Sequence, residues 1–344
     1  MITKIVGTGS CLPESVVTNE DLSKIMDTTD EWIVSRTGIR ERRLVKEETT
    51  ASMSVKASQR ALEDAGVEPE EIDLILVATI TGDYVTPSTA CEIQAGLGAV
   101  NAVAFDINAA CSGFMFALHT AHAYLQMGTY RTALILGAET LSKIMDWTDR
   151  STCVLFGDGA GAAVVRAFDE TRRETRGETH RESCRETCGE KEGSGLLAFE
   201  QGSDGERGKA LICPARANNN PLVSNPYMPG YVYMDGQDVY KFAVSTVPAS
   251  IERILKKAEL EEKDIKYFML HQANIRIIQS VCRRLKSDME KFPLSLDHCG
   301  NISAASVPIL LDEMNKKGML QSGDRIVLSG FGAGLTWASA VLEW

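Results

Sequence analysis

The sequence lacks a hydrophobic run long enough to cross a lipid bilayer. No apolar stretch approaches the roughly 20 residues that a membrane-spanning helix needs. The N-terminal residues 1–7 read as a β-strand ending in glycine, without the charged start and apolar core of a signal peptide. We therefore expect a cytoplasmic protein that has no membrane partner.

An excess of positive charge and a cysteine framework are also missing. Lysine and arginine number 36 against 47 aspartates and glutamates, which gives a net charge of −11 and argues against a nucleic-acid partner. The nine cysteines are odd in number and scattered along the chain. This pattern predicts free thiols in a reducing compartment, where one of them is available for chemistry.

Short β-rich apolar runs alternate with helical patterns along the 344 residues. Strands are predicted at 72–79, 102–106 and 133–137, and a helix is predicted at 52–65. This alternation indicates an α/β protein in which sheets and helices form layers.

The chain also contains an internal repeat. A shift of 193 residues places segment 62–72 on segment 255–265, and each reads as a helix, an acidic turn and the start of a strand. Glycine-rich runs at 157–161 and 330–334 follow in the same order. We interpret this as two copies of one half-domain.

A low-complexity insertion separates the two copies. The first half spans 1–167, the insertion 168–195 and the second half 196–344. The insertion repeats tetrads such as Arg-Arg-Glu-Thr and has almost no apolar residues, so it is expected to be solvated and mobile. Three of its residues have a spacing that a metal site can use: His180, Cys184 and Cys188. Because no fourth ligand with a standard spacing follows, a loop without chemistry is the preferred interpretation, and no metal is assigned.

Cys111 stands where a predicted strand gives way to an apolar helix. A free cysteine is usually a small buried hydrophobe, but the N-terminus of a helix favours the thiolate. The helix dipole supplies about 0.3–1 kcal/mol, and one pKa unit is about 1.4 kcal/mol. The dipole therefore lowers the thiol pKa by about one unit at most, and burial opposes it.

His271 and Asn301 are the partners expected for Cys111. His271 ends a buried strand, which is where α/β proteins place ligand sites. Asn301 precedes a predicted helix, where an N-cap is its ordinary use, but the repeat suggests that it stands where Cys111 stands in the first half. Two equivalent helix starts that face one cleft would bring the side chains together as a set suited to thioester chemistry.

Four motifs make the chain resemble the β-ketoacyl-acyl-carrier-protein synthase III family of the thiolase superfamily. They are Thr29–Ile39, Asn108–Phe114, His271–Arg276 and Gly300–Ser306. The resemblance covers everything except the insertion. It implies a thiolase-like fold with two pseudo-symmetric α/β halves in five layers (αβαβα), a homodimer and a catalytic triad of Cys111, His271 and Asn301.

The resemblance further implies an acyltransferase that initiates fatty-acid synthesis without a cofactor. Cys111 would take an acyl group from acyl-CoA, and malonyl-acyl-carrier protein would lose CO₂ and attack the thioester. His271 and Asn301 would donate hydrogen bonds to the enolate. The backbone N–H groups of Cys111 and Ala333 would hold the acyl carbonyl oxygen.

Two binding surfaces are implied in the same way. The CoA site comprises Trp32, Arg36, Arg150 and Asn274. The carrier-protein surface comprises Gln272, Ala273, Asn274, Ile275 and Arg276, with Lys241, Arg283 and Arg284. The carrier is acidic in this pathway, so basic residues would steer it. From the residues alone, an ordinary helix pair of Trp32 with Arg36 and a solvated basic helix face remain open alternatives.

Some positions depart from the family pattern. Cys299 replaces a bulkier residue and Ile302 replaces a threonine, but neither belongs to the triad. Thr86 stands where some members carry an aromatic ring that closes the partner subunit's acyl pocket. We expect a roomier pocket that accepts primers longer than acetyl. Turnover of acetyl-CoA compared with medium and branched acyl-CoAs tests this, and strict acetyl preference would contradict it.

Two other functions compete with this interpretation. One is a related initiating synthase of polyketide or secondary metabolism, which would use the same triad. The other is a non-catalytic thiolase-like scaffold, against which the intact triad argues. The sequence leaves primer length and branching open.

Overall fold

The computed structural model describes residues 1–169, 195–223 and 230–344. The strands are β1 (Ile2–Cys11), β2 (Val16–Thr18), β3 (Glu41–Arg43), β4 (Leu74–Ala78), β5 (Val103–Ile107), β6 (Thr132–Thr140), β7 (Asp158–Phe168), β8 (Gly195–Ser203), β9 (Leu211–Ile212), β10 (Tyr233–Met234), β11 (Tyr267–Leu270), β12 (Arg325–Gly332) and β13 (Thr336–Glu343). The α-helices are α1 (Asn19–Ser23), α2 (Asp30–Thr37), α3 (Thr50–Ala65), α4 (Thr89–Leu97), α5 (Gly113–Gln126), α6 (Gly236–Lys257), α7 (Ile275–Leu285), α8 (Leu296–Cys299) and α9 (Ser306–Lys316).

Two mixed sheets organise these elements. One has the strand order β1-β7-β6-β4-β5, and the other has the order β11-β12-β13-β8. In the first sheet β4 and β6 are parallel, while β7 runs antiparallel to both β6 and β1. In the second sheet β11 and β12 are parallel, while β13 runs antiparallel to both β12 and β8. The shared pattern confirms the prediction of two pseudo-symmetric α/β halves.

The 193-residue repeat is visible in the strands themselves. β8 begins 193 residues after β1, β11 after β4, and β12 after β6. The predicted equivalence of the glycine-rich runs 157–161 and 330–334 is wrong, however. Gly330 and Gly332 close β12, the equivalent of β6, whereas Gly159 and Gly161 lie in β7, the equivalent of β13.

The helices and the two sheets stack in five layers. All nine residues of β6 and all five of β4 are buried, as expected for strands covered on both faces. Helices α5 and α9 lie between the sheets and contact both. Helices α3 and α4 cover the outer face of the first sheet, and α6 packs on the outer face of the second and against α7. The predicted αβαβα order is confirmed.

Strand β7 ends at Phe168 and β8 begins at Gly195. The predicted insertion at 168–195, including His180, Cys184 and Cys188, lies almost wholly outside the described residues, and the domain boundaries stay a prediction. Every cysteine within the described ranges carries a free thiol. In those same ranges no helix is both long enough and apolar enough to cross a membrane.

Candidate active site

A cavity of about 620 Å³ at Cys111 is lined by residues from both halves of the chain. Its walls include Cys111 from the first half and His271 and Asn301 from the second. Trp32 and Arg36 line the same cavity. The predicted nucleophile, its two partners and part of the predicted CoA site therefore share one space.

Cys111 sits in a tight turn that the backbone enters in an unusual conformation. The turn is a 3₁₀ helix over Ala110–Ser112 that leads directly into α5. Ala110 has a φ of +44°, in the left-handed region that non-glycine residues rarely adopt. Across from the turn, a Cβ on Gly332 would lie 2.7 Å from Cys111 Cβ and 3.1 Å from its Sγ. Only glycine lets β12 pass this close to the sulfur.

The second half contains an equivalent turn, which corrects the expectation for Asn301. A 3₁₀ helix over Ser303–Ala305 precedes α9, and Ser303 has a φ of +45°. The 193-residue shift therefore places Ala110 on Ser303 and Cys111 on Ala304. The prediction that Asn301 occupies the place of Cys111 is wrong, because its equivalent is three residues earlier, at Asn108.

Asn301 is fixed by its backbone on both sides. Its N–H donates to the Leu155 carbonyl at 2.8 Å, and its own carbonyl accepts from Gly157 N–H at 3.0 Å. Its side-chain Oδ1 accepts from Ser303 N–H at 2.9 Å. The carboxamide oxygen is thus engaged within the loop, which leaves the Nδ2 group as the donor that Asn301 can offer to a ligand.

The imidazole of His271 is held in place by Ser306. His271 Nδ1 lies 2.6 Å from Ser306 Oγ, and that oxygen also lies 2.9 Å from the Ser303 carbonyl. The Ser303 carbonyl already accepts the Ser306 backbone N–H. Because a carbonyl oxygen can accept two hydrogen bonds, the single Ser306 proton can be donated either to the Ser303 carbonyl or to Nδ1, and the second choice places the imidazole proton on Nε2.

Burial shifts the pKa of both His271 and Cys111 toward the neutral form. It lowers the pKa of His271 to about 3, so the imidazole is neutral near pH 7. It raises the pKa of Cys111 to about 12, and the Glu139 charge acts in the same direction. The Ser303 hydroxyl and the cysteine's own N–H lower the Cys111 pKa but do not compensate. Burial therefore opposes the thiolate that the helix N-terminus favours, and the expected thiolate stays a prediction.

Two of the predicted CoA residues place their guanidinium groups over the ring of a third, Trp32, although Arg150 does not line the cavity itself. Arg36 Cζ lies 4.6 Å from the Trp32 ring centroid and Arg150 Cζ lies 5.3 Å from it. Asn274 caps α7 through Arg276 N–H at 2.8 Å and donates to the Arg36 carbonyl at 3.1 Å. An aromatic surface beside fixed positive charges suits an adenine ring and its phosphates.

Some of the predicted docking residues form an exposed basic surface on α6 and α7, while others are buried or partly buried. Tyr240 Oη and Arg283 Nη2 each lie 2.9 Å from Ser280 Oγ, which links α6 to α7 next to Lys241. Lys241, Arg283 and Arg284 are exposed. Arg276 is exposed too, although its Nη2 donates to the Ser35 carbonyl at 2.9 Å.

Gln272 does not belong to the docking surface. It is fully buried, donates to the Leu270 carbonyl at 2.8 Å and accepts from Ser295 N–H at 3.0 Å. Its amide therefore holds the segment after β11 in place and cannot touch a docked protein. Ala273 and Ile275 are partly buried, and Ile275 packs against the core.

Thr86 is exposed and lies beside Tyr84 and Val85, whose side chains are 63% and 105% exposed. Its expected place in a partner subunit's pocket stays a prediction.

One further cluster has the residue types of a metal site. Ligand atoms of His298, Cys299 and Glu313 lie within 4.8 Å of one another. Both imidazole nitrogens are already engaged, Nδ1 by Asp297 at 2.8 Å and Nε2 by Glu313 at 2.9 Å. Cys299 and these carboxylates raise the pKa of His298 to about 11. We interpret the cluster as an ion-pair network around an imidazolium.

Three residues around the site were not identified from the sequence as site residues: Glu139, Ser306 and Gly332. Glu139 lies two residues after the predicted strand segment and is fully buried near the end of β6. A charged residue at the end of an apolar strand is the same signal that identified His271. Ser306 lay within a recognised motif, but only the fold shows its contact with His271.

Comparison with known proteins agrees with this geometry. Residues 105–181 match the sequence model described as 3-Oxoacyl-[acyl-carrier-protein (ACP)] synthase III, and residues 255–344 match the model of its C-terminal part. Beta-ketoacyl-[acyl-carrier-protein] synthase III of Clostridium acetobutylicum is 48% identical over 99% of this chain and 98% of that protein. The enzyme of the same name from Caldanaerobacter subterraneus is 46% identical over 99% of this chain and 97% of that protein.

Solved structures give the same result. The crystal structure of 3-oxoacyl-[acyl-carrier-protein] synthase III from Aquifex aeolicus matches with a TM-score of 0.87 and 41% identity, over 99% of this chain and 100% of that one. The priming β-ketosynthase of the R1128 polyketide pathway matches with a TM-score of 0.86 and 35% identity, over 99% of this chain and 96% of that one. With relatives this similar over nearly its whole length, the chain belongs to the 3-oxoacyl-[acyl-carrier-protein] synthase III family.

Proposed function

We propose that the protein transfers an acyl group from acyl-CoA to Cys111 and then condenses it with malonyl-acyl-carrier protein. The products are 3-oxoacyl-acyl-carrier protein, CO₂ and CoA. The observation that carries the proposal is the single cavity that joins Cys111, His271 and Asn301 to Trp32 and Arg36. The names of the relatives supply the substrates.

In the first half-reaction the sulfur of Cys111 adds to the thioester carbonyl of acyl-CoA. The oxyanion that forms would accept from the backbone N–H groups of Cys111 and Ala333. Ala333 follows Gly332, whose missing side chain leaves room at the sulfur. Collapse of the intermediate expels CoA as a thiolate, which takes a proton from solvent.

In the second half-reaction the malonyl thioester loses CO₂ and becomes an enolate. His271 Nε2–H and Asn301 Nδ2 would donate hydrogen bonds to its oxygen. A neutral imidazole stabilises the negative charge and leaves the carbon unprotonated, so the carbon can attack the acyl thioester. The Cys111 thiolate then leaves.

Labelling of the protein with radioactive acetyl-CoA tests the first step. We expect the label on the peptide that contains Cys111, release by hydroxylamine, and transfer to product when malonyl-acyl-carrier protein is added. Label elsewhere in the chain, or none, would contradict the proposal.

The match to a polyketide priming synthase makes that role the second candidate. Replacing malonyl-acyl-carrier protein with malonyl-CoA, across a panel of acyl-CoA primers, separates the two. Dependence on the carrier with short primers supports fatty-acid initiation, and efficient turnover of malonyl-CoA favours the alternative.

Trp32→Ala should weaken acyl-CoA binding. Loss of a ring that stacks on a base costs about 1–3 kcal/mol, so KM for acyl-CoA should rise roughly 5- to 150-fold, with kcat at saturation little changed. Trp32→Phe is the matched control, because it keeps an aromatic face. Steady-state kinetics at a fixed malonyl-acyl-carrier-protein concentration provides the measurement, and an unchanged KM in Trp32→Ala would remove Trp32 from the CoA site.

Lys241→Glu/Arg283→Glu should impair use of malonyl-acyl-carrier protein. Reversing two charges on the docking surface should lower kcat/KM for the carrier about tenfold at low salt, and the difference should shrink as salt is added. Acylation of Cys111 by acyl-CoA should stay as in the wild type.

The matched control for this pair is Lys256→Glu/Lys257→Glu. It reverses the same charge at the other end of α6, ~25 Å away along the helix axis. If both double variants lose carrier activity equally, the effect reflects net charge and the basic surface is not the docking site.

A further inference from the structure

The first half-reaction needs a base that the triad does not supply. Burial raises the pKa of the Cys111 thiol and lowers that of the His271 imidazole, so the thiol holds its proton tightly and the imidazole is a weak base. A buried carboxylate behind the turn would supply the missing base.

Glu139 lies behind that turn with half of its carboxylate unengaged. It is fully buried, and its Oε2 accepts from Thr81 Oγ at 2.5 Å and from Ile80 N–H at 3.1 Å. Its Oε1 has no hydrogen-bond partner among the residues that the structure describes. A buried carboxylate oxygen without a donor costs free energy, so this atom calls for a function or a transient partner.

Ser303 is the group between Glu139 and the nucleophile. Its side chain is 1% exposed, and its Oγ has no hydrogen bond of ordinary geometry within the described part of the chain. The turn over Ser303–Ala305 contacts both β6, which carries Glu139, and the turn over Ala110–Ser112. In agreement with this placement, the Ser303 hydroxyl lowers the pKa of both the Cys111 thiol and the Glu139 carboxyl. The left-handed backbone at Ser303 holds it there.

Strand β6 is pressed against this turn. A side chain on Gly137, two residues before Glu139, would collide with the carbonyl of Ala304. The spacing between the strand and the turn is therefore fixed by packing.

We propose that Ser303 and Glu139 form a proton relay for Cys111. As the sulfur bonds to the thioester carbon, its S–H proton passes to Ser303 Oγ, and the Ser303 proton passes to Glu139 Oε1. CoA leaves as a thiolate and is protonated by solvent. After condensation expels the Cys111 thiolate, Glu139 returns its proton through Ser303 to the sulfur, which restores the resting enzyme.

The acid–base balance favours Glu139 over the imidazole as the acceptor. Burial raises the pKa of Glu139 to about 7, whereas that of His271 is lowered to about 3. Near neutral pH a substantial fraction of Glu139 is ionised, and it is the stronger base of the two. This relay rests on the proposed function, because it serves acyl transfer to Cys111.

The test is the single-turnover rate of Cys111 acylation by radiolabelled acetyl-CoA in Glu139→Gln, Ser303→Ala and the double variant. Loss of general-base catalysis should slow acylation about 10²- to 10⁴-fold in each single variant. The double variant should be no slower than the slower single one, because both residues serve one path. Ser303→Ala suits the backbone, since Ala110 adopts the equivalent φ as an alanine. Ser250→Ala, another fully buried serine, is the matched control and should acylate at the wild-type rate.

Alkylation by iodoacetamide separates the relay from a structural role. In the empty cavity solvent reaches the sulfur, so the variants should be alkylated at Cys111 as fast as the wild type or faster. Acylation within threefold of wild type, effects that multiply in the double variant, or alkylation slowed in parallel with acylation would each overturn the relay. If wild-type Cys111 is not acylated at all, the proposed function fails instead.

Discussion

Cys111→Ala should abolish acyl transfer from acyl-CoA. Removal of the nucleophile from a covalent mechanism costs about 10⁶-fold in rate, and here no other group lies in the cavity position of the sulfur. The methyl side chain fits the turn, so the free energy of unfolding should change little. Label incorporation from radioactive acetyl-CoA, read on the denatured protein, gives the result directly.

Cys11→Ser is the matched control, because Cys11 is also buried but lies in β1. It should incorporate label like the wild type. Label that persists in Cys111→Ala, or that disappears in Cys11→Ser, would mean that Cys111 is not the acyl acceptor.

His271→Ala and Asn301→Ala should separate the two half-reactions. Each removes one donor to the enolate, and loss of one such donor typically costs about 10²–10³-fold. Condensation should fall by this factor while Cys111 is still acylated. The measurement is CO₂ release from malonyl-acyl-carrier protein mixed with pre-acylated enzyme.

Asn301→Asp sharpens this experiment. The aspartate keeps an oxygen for Ser303 N–H but replaces the Nδ2 donor with a negative charge that opposes the enolate. Decarboxylation should therefore be slower in Asn301→Asp than in Asn301→Ala. An Asp variant as active as the wild type, or acylation lost to the same degree as decarboxylation, would contradict the donor role.

Much of the fold and the meeting of the triad could be predicted from local patterns. The repeat at 193 residues is a property of residue order, and it reappears as equal spacing between equivalent strands. His271 was identified because it is a polar residue at the C-terminal end of a buried strand, where α/β proteins place ligand sites. Motif order sufficed for these features, because each depends on neighbours in sequence.

Features that depend on packing could not be predicted. The direction of the Cys111 pKa shift required knowing how deeply the thiol is buried. Gln272 looked like a surface residue until the fold showed its amide bonded to Leu270 and Ser295. The partnership of Glu139 with Ser303 joins residues 164 positions apart through the contact of β6 with a turn of the other half.

The paired left-handed turns bear on how such a site can diversify. One copy of the turn presents the sulfur, while the other presents Ala304 at the matching position and supplies Ser303 and Asn301 around it. Of the two equivalent turns, only the one over Ala110–Ser112 carries a residue that forms a bond to substrate. The turn over Ser303–Ala305 supplies the surroundings of that residue. Substitutions in this supporting loop can retune acidity and geometry while the reacting atom stays in place.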